Sequence, residues 1–387
     1  MSNTTAFIPV ARPWLDERDA DAARRAILSG WVTQGPEVAA FEREFAQAVG
    51  APCACAVSSC TTALHLALLA VGVSAGDEVI TVSHSFIATA NAIRFCGATP
   101  VFVDVRSDTF NIDPTQIEAA ITPRTKAILV VHQVGMPCDM PAILEIARRR
   151  ALPVIEDAAC AIGSEILWDG RWERIGRPHG DIACFSFHPR KLLSTGDGGM
   201  LTTRSADQDA AFRLLRQHGM SVSDAARHSS AKVVFEEYPV EGYNYRMTDI
   251  QAAIGRVQLT RLSAIVARRR DLAMRYHDGL RSIEGVIAPS EPEWARTNWQ
   301  SYLVRLTPPL DQRQVMQRML DDGVSTRRGV MNAHRERAYP EGSWRAAGTL
   351  ARGEQAQDTT IVLPLYHQMK DEDQDRVVAS LKRAVTR

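Results

Sequence analysis

The sequence predicts an α/β protein whose main domain contains a mostly parallel, doubly wound sheet. Short apolar runs alternate with helical patterns over the first two-thirds of the chain, and 45% of the residues are apolar. A chain of 387 residues can bury an ample core without disulfides or metals. Strands that alternate with helices imply right-handed crossovers and parallel pairing. Ligands of such sheets bind beyond the carboxyl ends of the strands, so functional residues are expected there.

Six apolar, β-rich runs predict the strands of this sheet, at residues 53–57, 78–82, 101–105, 127–131, 154–156 and 183–187. Helices are predicted between them at residues 61–71, 87–95 and 141–150. In the first of these helices Leu64, Leu68 and Val71 share one face, and Gly72 follows as a plausible C-cap.

The pattern changes near Met247. Thr248 and Gln251 have the spacing of a capping box, and a long helical stretch follows. Further on, a strand at 302–306 and a helix at 314–322 predict a smaller α+β unit. We therefore predict a large cofactor-binding domain at 1–250 and a small C-terminal domain at 251–387 that includes the linking helix.

Composition excludes several classes of function. The chain has 45 basic and 45 acidic side chains, which leaves no charge excess for nucleic acid or an anionic membrane surface. Its most apolar stretch, residues 63–73, is too short to span a bilayer, and no secretory signal is predicted. Seven cysteines without a CxxC motif predict reduced thiols, no metal site and a cytoplasmic enzyme.

Three segments that follow predicted strands carry candidate chemistry. Residues 58–62 (Ser-Ser-Cys-Thr-Thr) precede a helix, where N–H groups and hydroxyls suit a phosphate, although an ordinary Ser/Thr N-cap is the better explanation of this segment taken alone. Glu156 and Asp157 end a strand on opposite faces, so one acid can reach the cleft or cap a helix. Lys191 lies between a Pro-containing turn and a Gly-rich loop, where burial would lower its pKa and allow attack on a carbonyl, although lone lysines are usually solvated.

Together, a phosphate site, an acid and a reactive lysine are what pyridoxal 5′-phosphate requires. The lysine would hold the aldehyde of the cofactor as a Schiff base. The acid would keep the pyridine nitrogen protonated, so that the ring accepts the electron pair left by a departing Cα proton.

The sequence also resembles the DegT/StrS-type sugar aminotransferases over nearly its whole length. The resemblance lies in residues 30–36, Phe41-Glu42, 58–64, 97–104, 156–159, 186–191 and 242–247. It implies the type I aminotransferase fold, with a mostly parallel, doubly wound seven-stranded sheet and a smaller C-terminal α+β domain. It also implies transfer of an amino group from an amino acid, commonly glutamate, to a keto group of a nucleotide-linked sugar or a cyclitol.

Carried over by position, the resemblance implies a role for each site residue. Lys191 would form the Schiff base and Asp157 would contact the pyridine nitrogen. Phe86 would stack on the ring. The phosphate would be held by Thr61, Thr62 and Ser186. Asn244 would reach the phosphate in the neighbouring subunit, which implies a homodimer with shared active sites.

The chain departs from the family pattern at Cys160, where many members carry Gln or His to bind the pyridoxal oxygen. A thiol is a weak donor, so this contact is in doubt. Some relatives that are sugar dehydratases carry His in place of the lysine; retention of Lys191 favours transamination. A dehydratase, a keto-cyclitol aminotransferase and a binding protein without turnover are the alternatives.

Residues that face the substrate are predicted in three places. The N-terminal segment with Trp31, Thr33 and Gln34 lines the cleft in this family. Guanidinium and imidazole groups that could bind a diphosphate or a carboxylate are Arg327, Arg328 and His334. His188 either contacts substrate or cofactor, or braces the turn before Lys191.

Overall fold

The computed structural model describes residues 7–222, 227 and 231–386. Its strands are β1 (Cys53–Val57), β2 (Glu78–Val82), β3 (Thr99–Val103), β4 (Thr125–Val131), β5 (Val154–Asp157), β6 (Glu165–Trp168), β7 (Arg171–Arg174), β8 (Ile182–Ser186), β9 (Gly199–Thr203), β10 (Val286–Ile287), β11 (Ala295–Arg296), β12 (Tyr302–Leu306), β13 (Arg327–Arg328), β14 (Arg345–Ala346) and β15 (Thr360–Leu363). Its α-helices are α1 (Glu17–Leu28), α2 (Pro36–Val49), α3 (Cys60–Ala70), α4 (Ala88–Phe95), α5 (Pro114–Ala120), α6 (Met140–Arg150), α7 (Ala206–Leu215), α8 (Asp249–Thr260), α9 (Leu262–Leu280), α10 (Gln312–Asp321), α11 (Ala351–Thr359) and α12 (Asp371–Thr386). No helix within these ranges is long and apolar enough to cross a membrane.

The main sheet has the strand order β1-β9-β8-β5-β4-β2-β3-β14. Each neighbouring pair from β8 to β14 is parallel, whereas β9 runs antiparallel to both β1 and β8. The predicted mostly parallel α/β sheet is therefore confirmed. It has one strand more than the predicted seven, because the short β14 pairs with β3 at the sheet edge. A two-residue strand is too short for its periodicity to be recognised in a sequence.

Side chains of the main sheet alternate between two apolar cores, as the two-residue period of a strand requires. In β2, Val79 packs in one core with Leu64 of α3, whereas Ile80 packs in the other core with Phe41 of α2. Helices therefore cover both faces of the sheet, which is the doubly wound arrangement.

Most helices lie within a few residues of their predicted positions. Helix α3 begins at Cys60 because Ser59 is its N-cap. The capping box of Thr248 and Gln251 is confirmed at the start of α8. The long helical stretch after it consists of two helices, since Arg261 ends α8 and precedes α9.

The C-terminal part has its own core between α9 and a four-stranded sheet of order β10-β12-β15-β13. Tyr276 and Tyr302 are fully buried in this core. Packing crosses residue 250 in both directions, because Ile8 lies in the C-terminal core and Tyr339 packs with Phe102 of the main sheet. The division into 1–250 and 251–387 stays a prediction.

Glu42 of α2 is buried and bonds to strand β1, to Arg213 of α7 and to Arg216, which follows α7. Its Oε1 accepts hydrogen bonds from the Ala56 N–H at 2.9 Å and from Arg216 Nη1 at 2.5 Å. Its Oε2 pairs with Arg213 Nη1 at 2.7 Å. Burial would raise the pKa of Glu42, but the two arginines hold it below its ordinary value. This cluster holds the end of β1 directly before the chain enters α3.

We expect Glu42→Ala to lower the free energy of unfolding by about 3–5 kcal/mol, because it leaves the buried guanidinium of Arg216 uncompensated. Chemical denaturation at pH 7 measures this loss. The pKa of Glu42 is depressed in the folded state, so its contribution is present above the ordinary glutamate pKa and is lost as pH falls through the folded value. The difference between wild type and variant should therefore shrink in acid.

The matched control is Glu44→Ala, which removes the partly exposed carboxylate that pairs with Arg256 at 2.7 Å. An exposed ion pair of this kind contributes at most about 1 kcal/mol. Equal losses in the two variants would contradict the role assigned to Glu42.

Candidate active site

Four of the segments predicted to carry function lie at one edge of the main sheet. Strands β1, β2, β5 and β8 run in the same direction, so their carboxyl ends face the same side. Asp157 of β5 lies opposite Val131 of β4 and Cys184 of β8 in the sheet register. The residues after these strands therefore meet at the edge where parallel α/β sheets bind ligands.

Asp157 is buried at this edge and accepts two hydrogen bonds. Its Oδ2 accepts from Thr89 Oγ1 at 2.8 Å, and its Oδ1 accepts from the Ala159 N–H at 3.1 Å. Thr89 Oγ1 lies 2.8 Å from Ser85 Oγ, so Ser85, Thr89 and Asp157 form a chain of hydrogen bonds. Burial raises the pKa of Asp157, although these hydrogen bonds and Lys191 act in the opposite direction. A cationic ring nitrogen beside the carboxylate would offset the cost of its burial.

Glu156, the neighbouring acid, points away from Asp157, as the strand period predicts. Its Oε2 lies 2.9 Å from His132 Nε2, and its Oε1 accepts from the Gly180 N–H at 2.7 Å. Because His132 Nδ1 accepts from the Cys138 N–H at 3.0 Å, the Nε2 carries the proton and donates it to Glu156. Asp157 is thus the acid available to a ligand.

Lys191 lies in the turn after β8, where its backbone N–H donates to the His188 carbonyl at 2.8 Å. Its Nζ donates to Cys160 Sγ at 3.1 Å. Burial by itself would lower the pKa of Lys191, but Cys160, Cys60 and Asp157 together raise it above its ordinary value. The predicted lowering of this pKa is wrong, because it rested on burial and took no account of the two thiols and the nearby carboxylate.

Ser186 and His188 shape the turn that carries Lys191. Ser186 ends β8, and its Oγ accepts from the His188 N–H at 3.4 Å. His188 Nδ1 accepts from the Arg190 N–H at 3.2 Å, so the imidazole braces the turn. Burial and the neighbouring arginine lower the pKa of His188, which keeps its ring neutral at pH 7. A catalytic role for His188 stays a prediction.

The start of helix α3 provides the candidate phosphate site. Ser59 Oγ accepts from the Thr62 N–H at 3.2 Å, and Thr62 Oγ1 accepts from the Ser59 N–H at 3.1 Å. This capping box uses the Thr62 hydroxyl, whereas the N–H groups of Cys60 and Thr61 have no carbonyl partner within the helix. Gly199 of β9 packs so closely on Ser59 that a Cβ would clash with the Ser59 backbone. The first N–H groups and the positive end of the helix dipole suit a phosphate.

Phe86 and Asn244 are both exposed in the single chain. Phe86 lies in the loop between β2 and α4, with 66% of its surface exposed. Asn244 pairs with Gln217 in a short bridge, and its Oδ1 accepts from Arg246 Nη2 at 3.1 Å. Stacking of Phe86 on the cofactor ring and contact of Asn244 with a neighbouring subunit stay predictions.

The N-terminal segment predicted to line the cleft contacts Gln217 and Thr248. Thr33 forms an antiparallel bridge with Thr248, and Gln34 Nε2 donates to Gln217 Oε1 at 3.0 Å. Trp31 is half-buried in the same segment. These contacts place the segment beside the family block at 242–247.

The predicted anion-binding residues of the C-terminal part are divided between two places. Arg327 and Arg328 form β13, an exposed edge strand of the C-terminal sheet. His334 instead contacts the end of β2, with its Nδ1 2.6 Å from Ser83 Oγ and its Nε2 2.9 Å from Glu354 Oε1. His334 therefore adjoins the edge that holds Asp157, while the arginines belong to the other sheet.

Three contacts of the site were not predicted: Thr89 on the carboxylate, Ser85 behind Thr89, and Cys60 near Lys191. Ser85 and Thr89 are four residues apart at a helix start, a spacing that can bring two hydroxyls to one face. That spacing could have indicated the hydroxyl pair. The sequence carries no comparable signal for Cys60, because a thiol in an apolar helix is usually part of the core.

The arrangement fits pyridoxal 5′-phosphate. Asp157 offers a buried carboxylate to the pyridine nitrogen, Lys191 offers a primary amine to the aldehyde, and the start of α3 offers N–H donors to the phosphate. Lys191 Nζ lies 3.1 Å from the Sγ of Cys160, three residues after Asp157, and Asp157 lies opposite Cys184 of the strand that leads to Lys191, so the amine and the carboxylate share one edge of the sheet.

A model of the DegT/DnrJ/EryC1/StrS aminotransferase family matches residues 13–382. The chain belongs to this family. Among its relatives, the spore coat polysaccharide biosynthesis protein SpsC of Bacillus subtilis is 38% identical over 383 residues, which cover 98% of this chain and 97% of SpsC.

Solved structures agree with the family assignment. The aminotransferase TlmJ of Streptoalloteichus hindustanus is 35% identical, with a TM-score of 0.88 and coverage of 98% of this chain and 99% of TlmJ. Spr1654 of Streptococcus pneumoniae, in its PMP form, is 26% identical, with a TM-score of 0.91 and coverage of 98% and 99%. Spr1654 has also been solved in a PLP form. This protein is accordingly a pyridoxal-phosphate-dependent sugar aminotransferase with the type I aminotransferase fold.

We expect Asp157→Asn to retain the cofactor but to slow amino-group transfer by about 10²–10³-fold, because a neutral amide cannot stabilise positive charge at the pyridine nitrogen. Phosphate analysis gives the cofactor content, and single-turnover absorbance with an amino acid donor gives the rate. Glu156→Gln is the matched control, since Glu156 points into the interior. Wild-type rates in Asp157→Asn would remove the proposed role of this carboxylate.

We expect Cys160→Ala to lower the pKa of Lys191, because it removes the largest of the contacts that oppose the effect of burial. The rate at which cofactor-free enzyme takes up pyridoxal phosphate, measured against pH, should then have its midpoint at lower pH. Cys53→Ala, the other half-buried thiol, serves as the control. A midpoint that stays in place or rises in Cys160→Ala contradicts the effect assigned to this thiol.

Proposed function

We propose that the enzyme transfers an amino group from glutamate to a keto group of a nucleotide-linked sugar, as a step of amino-sugar biosynthesis. The observation that carries this proposal is the Lys191 amine, which lies 3.1 Å from Cys160 Sγ and acts electrostatically on Asp157. A primary amine there can both tether the cofactor and move a proton between carbon atoms. The name of SpsC, which refers to polysaccharide biosynthesis, supports a sugar as the acceptor.

When bound, pyridoxal phosphate supplies a carbon that takes up the amino group and a ring that accepts the electron pair left by the Cα proton. Lys191 Nζ would take that proton from the donor's Cα and carry it during the transfer. Asp157 would face the pyridine nitrogen and stabilise its positive charge, and the start of α3 would hold the phosphate. In the second half of the reaction Lys191 Nζ would carry a proton in the reverse direction, to the sugar carbon that receives nitrogen.

We assign substrate recognition to residues of the N-terminal segment and of the C-terminal part. Trp31, Thr33 and Gln34 would line the sugar cleft. Arg327 would bind the nucleotide diphosphate or the donor carboxylate, because its planar guanidinium matches either anion. His334 is supported by its position beside Ser83, at the end of β2.

We further propose a homodimer with shared active sites. Large apolar side chains are exposed in the single chain, including Phe86 at 66%, Val233 at 86% and Phe235 at 86%. Exposed apolar groups of this size are typical of a surface that another subunit covers. Asn244 is exposed as well, which supports a role across the subunit interface.

A cytoplasmic location is also part of the proposal. All seven cysteines are free thiols, and five of them are buried. Free thiols of this kind are typical of a reducing compartment.

The test of the reaction is a panel of nucleotide-linked keto-sugars and free keto-cyclitols, each incubated with glutamate and examined by mass spectrometry for conversion of ketone to amine. We expect conversion of a nucleotide-linked sugar, and its loss in Lys191→Ala while folding persists. Conversion of cyclitols alone would change the substrate class. Ammonia release without net amino transfer would identify a dehydratase.

The shared site is tested by mixing two inactive variants, Lys191→Ala and Asn244→Ala. If Asn244 acts across the interface, the mixed dimer contains one intact site, since Lys191 and Asn244 then come from different subunits. Random mixing in equal amounts should restore about a quarter of wild-type activity. No recovery, with mixed dimers demonstrated by native mass spectrometry, would place both residues in the same subunit's site.

A further inference from the structure

A short segment of the C-terminal part contacts the two loops that carry Lys191 and Cys160. This segment, residues 298–300, lies between β11 and β12 and is called the amide clamp here. Asn298 is completely buried and Gln300 is 8% exposed. Neither residue belongs to a motif that the sequence analysis connected with function.

Gln300 bonds the backbone on both sides of Lys191. Its Oε1 accepts from the Leu192 N–H at 3.1 Å, and its Nε2 donates to the Arg190 carbonyl at 2.7 Å. One side-chain amide therefore satisfies two backbone groups that flank the cofactor lysine. Loss of either bond would leave a poorly solvated polar group and loosen the turn.

Asn298 holds the second loop in the same way. Its Nδ2 donates to the carbonyls of Cys160 and Ile162, each at 2.8 Å. Its Oδ1 accepts from the backbone N–H of Gln300 at 2.8 Å, so the Asn298 side chain is also bonded to the residue that holds the Lys191 turn. The loop of Cys160 and the turn of Lys191 are thus bound to one rigid segment, which sets the separation of Lys191 Nζ and Cys160 Sγ.

The geometry of the clamp is costly to maintain. Trp299, between the two amides, has a φ of 52°, in the left-handed region that bulky residues avoid. Arg269 of α9 is buried and donates to the Trp299 carbonyl at 2.8 Å, and burial lowers the pKa of this arginine to about 10. Gly135 packs where a Cβ would clash with Asn298 Oδ1. Strain of this kind persists where the surrounding structure requires one arrangement.

We propose that Gln300 is a positioning residue for transamination: with Asn298, it holds Lys191 Nζ in place relative to Cys160 Sγ and Asp157. It touches none of the reacting atoms and acts through the backbone at 190 and 192. The inference rests on the proposed function, since that function assigns the reaction to Lys191. It also makes the C-terminal part a structural requirement of the cofactor site.

The experiment uses the holoenzyme and the variant Gln300→Ala. Bound cofactor is reduced with borohydride, and peptide mass spectrometry measures the fraction attached to Lys191. The cofactor should stay bound through its phosphate and Asp157, while the ratio of attached to unattached cofactor falls about tenfold, because two buried backbone groups lose their partner. The rate of the glutamate half-reaction should fall with it.

Gln300→Glu provides a readout that a merely structural role would not move. An ionised carboxylate still accepts from the Leu192 N–H but repels the Arg190 carbonyl. Once protonated, the new side chain can donate to that carbonyl as the amide does. The attached fraction, relative to wild type at the same pH, should therefore recover as pH falls. If Gln300→Ala does not fold, this pH dependence in Gln300→Glu tests the proposal by itself.

Gln374→Ala is the matched control, because Gln374 is a buried glutamine of α12 that donates to the Leu272 carbonyl at 2.6 Å. It should lower the unfolding temperature without changing attachment at Lys191. Equal attachment in Gln374→Ala and both Gln300 variants at every pH would overturn the proposal. If the wild-type enzyme attaches cofactor and reacts with glutamate but with no keto-sugar, the proposed substrate is wrong. The role of Gln300 is then still tested by the attached fraction in its variants. A wild type that attaches no cofactor would overturn both.

Discussion

The parallel pairing of β5 with β8 is the constraint on which the site depends. With Asp157 opposite Cys184, the chain leaves β8 at Ser186 and turns back at Lys191 on the side where the carboxylate emerges. An acid and an amine that are distant in sequence therefore share one sheet edge. A slip of one residue in β5 would turn Glu156 toward this edge and Asp157 toward the interior, because side chains alternate along a strand.

Lys191 is buried, and three neighbouring groups oppose the effect of burial on its pKa. In a buried site a charged amine is disfavoured unless neighbouring groups stabilise it. Cys160, Cys60 and Asp157 are such neighbours of Lys191. Cys160 thus makes two hydrogen bonds: its Sγ accepts from Lys191 Nζ, and its backbone carbonyl accepts from Asn298 Nδ2. The loop at 160 couples the cofactor lysine to the C-terminal part through both.

The fold and the central pair of the site were predictable because their signals are local. A strand followed directly by Asp157, a turn with Lys191 and a small-residue helix start can each be recognised within ten residues of sequence. Strand β14 and the amide clamp were not predictable, since their positions depend on contacts between segments far apart in the chain. The direction of the pKa shift at Lys191 was predicted wrongly for the same reason. Substrate specificity depends on how the N-terminal segment and the C-terminal sheet enclose the cleft, which no local pattern encodes.

The reversed strand β9 has a consequence for the order in which the protein can mature. β1 emerges early from the ribosome, but its hydrogen-bonding partner β9 is translated after all the other main-sheet strands except β14. The nascent chain must therefore keep an unpaired apolar edge out of contact with other chains until β9 arrives. Residues 298–300 are made later still. A chain that stopped before these residues would therefore contain most of the main sheet, together with Asp157 and Lys191, but would lack the amide clamp.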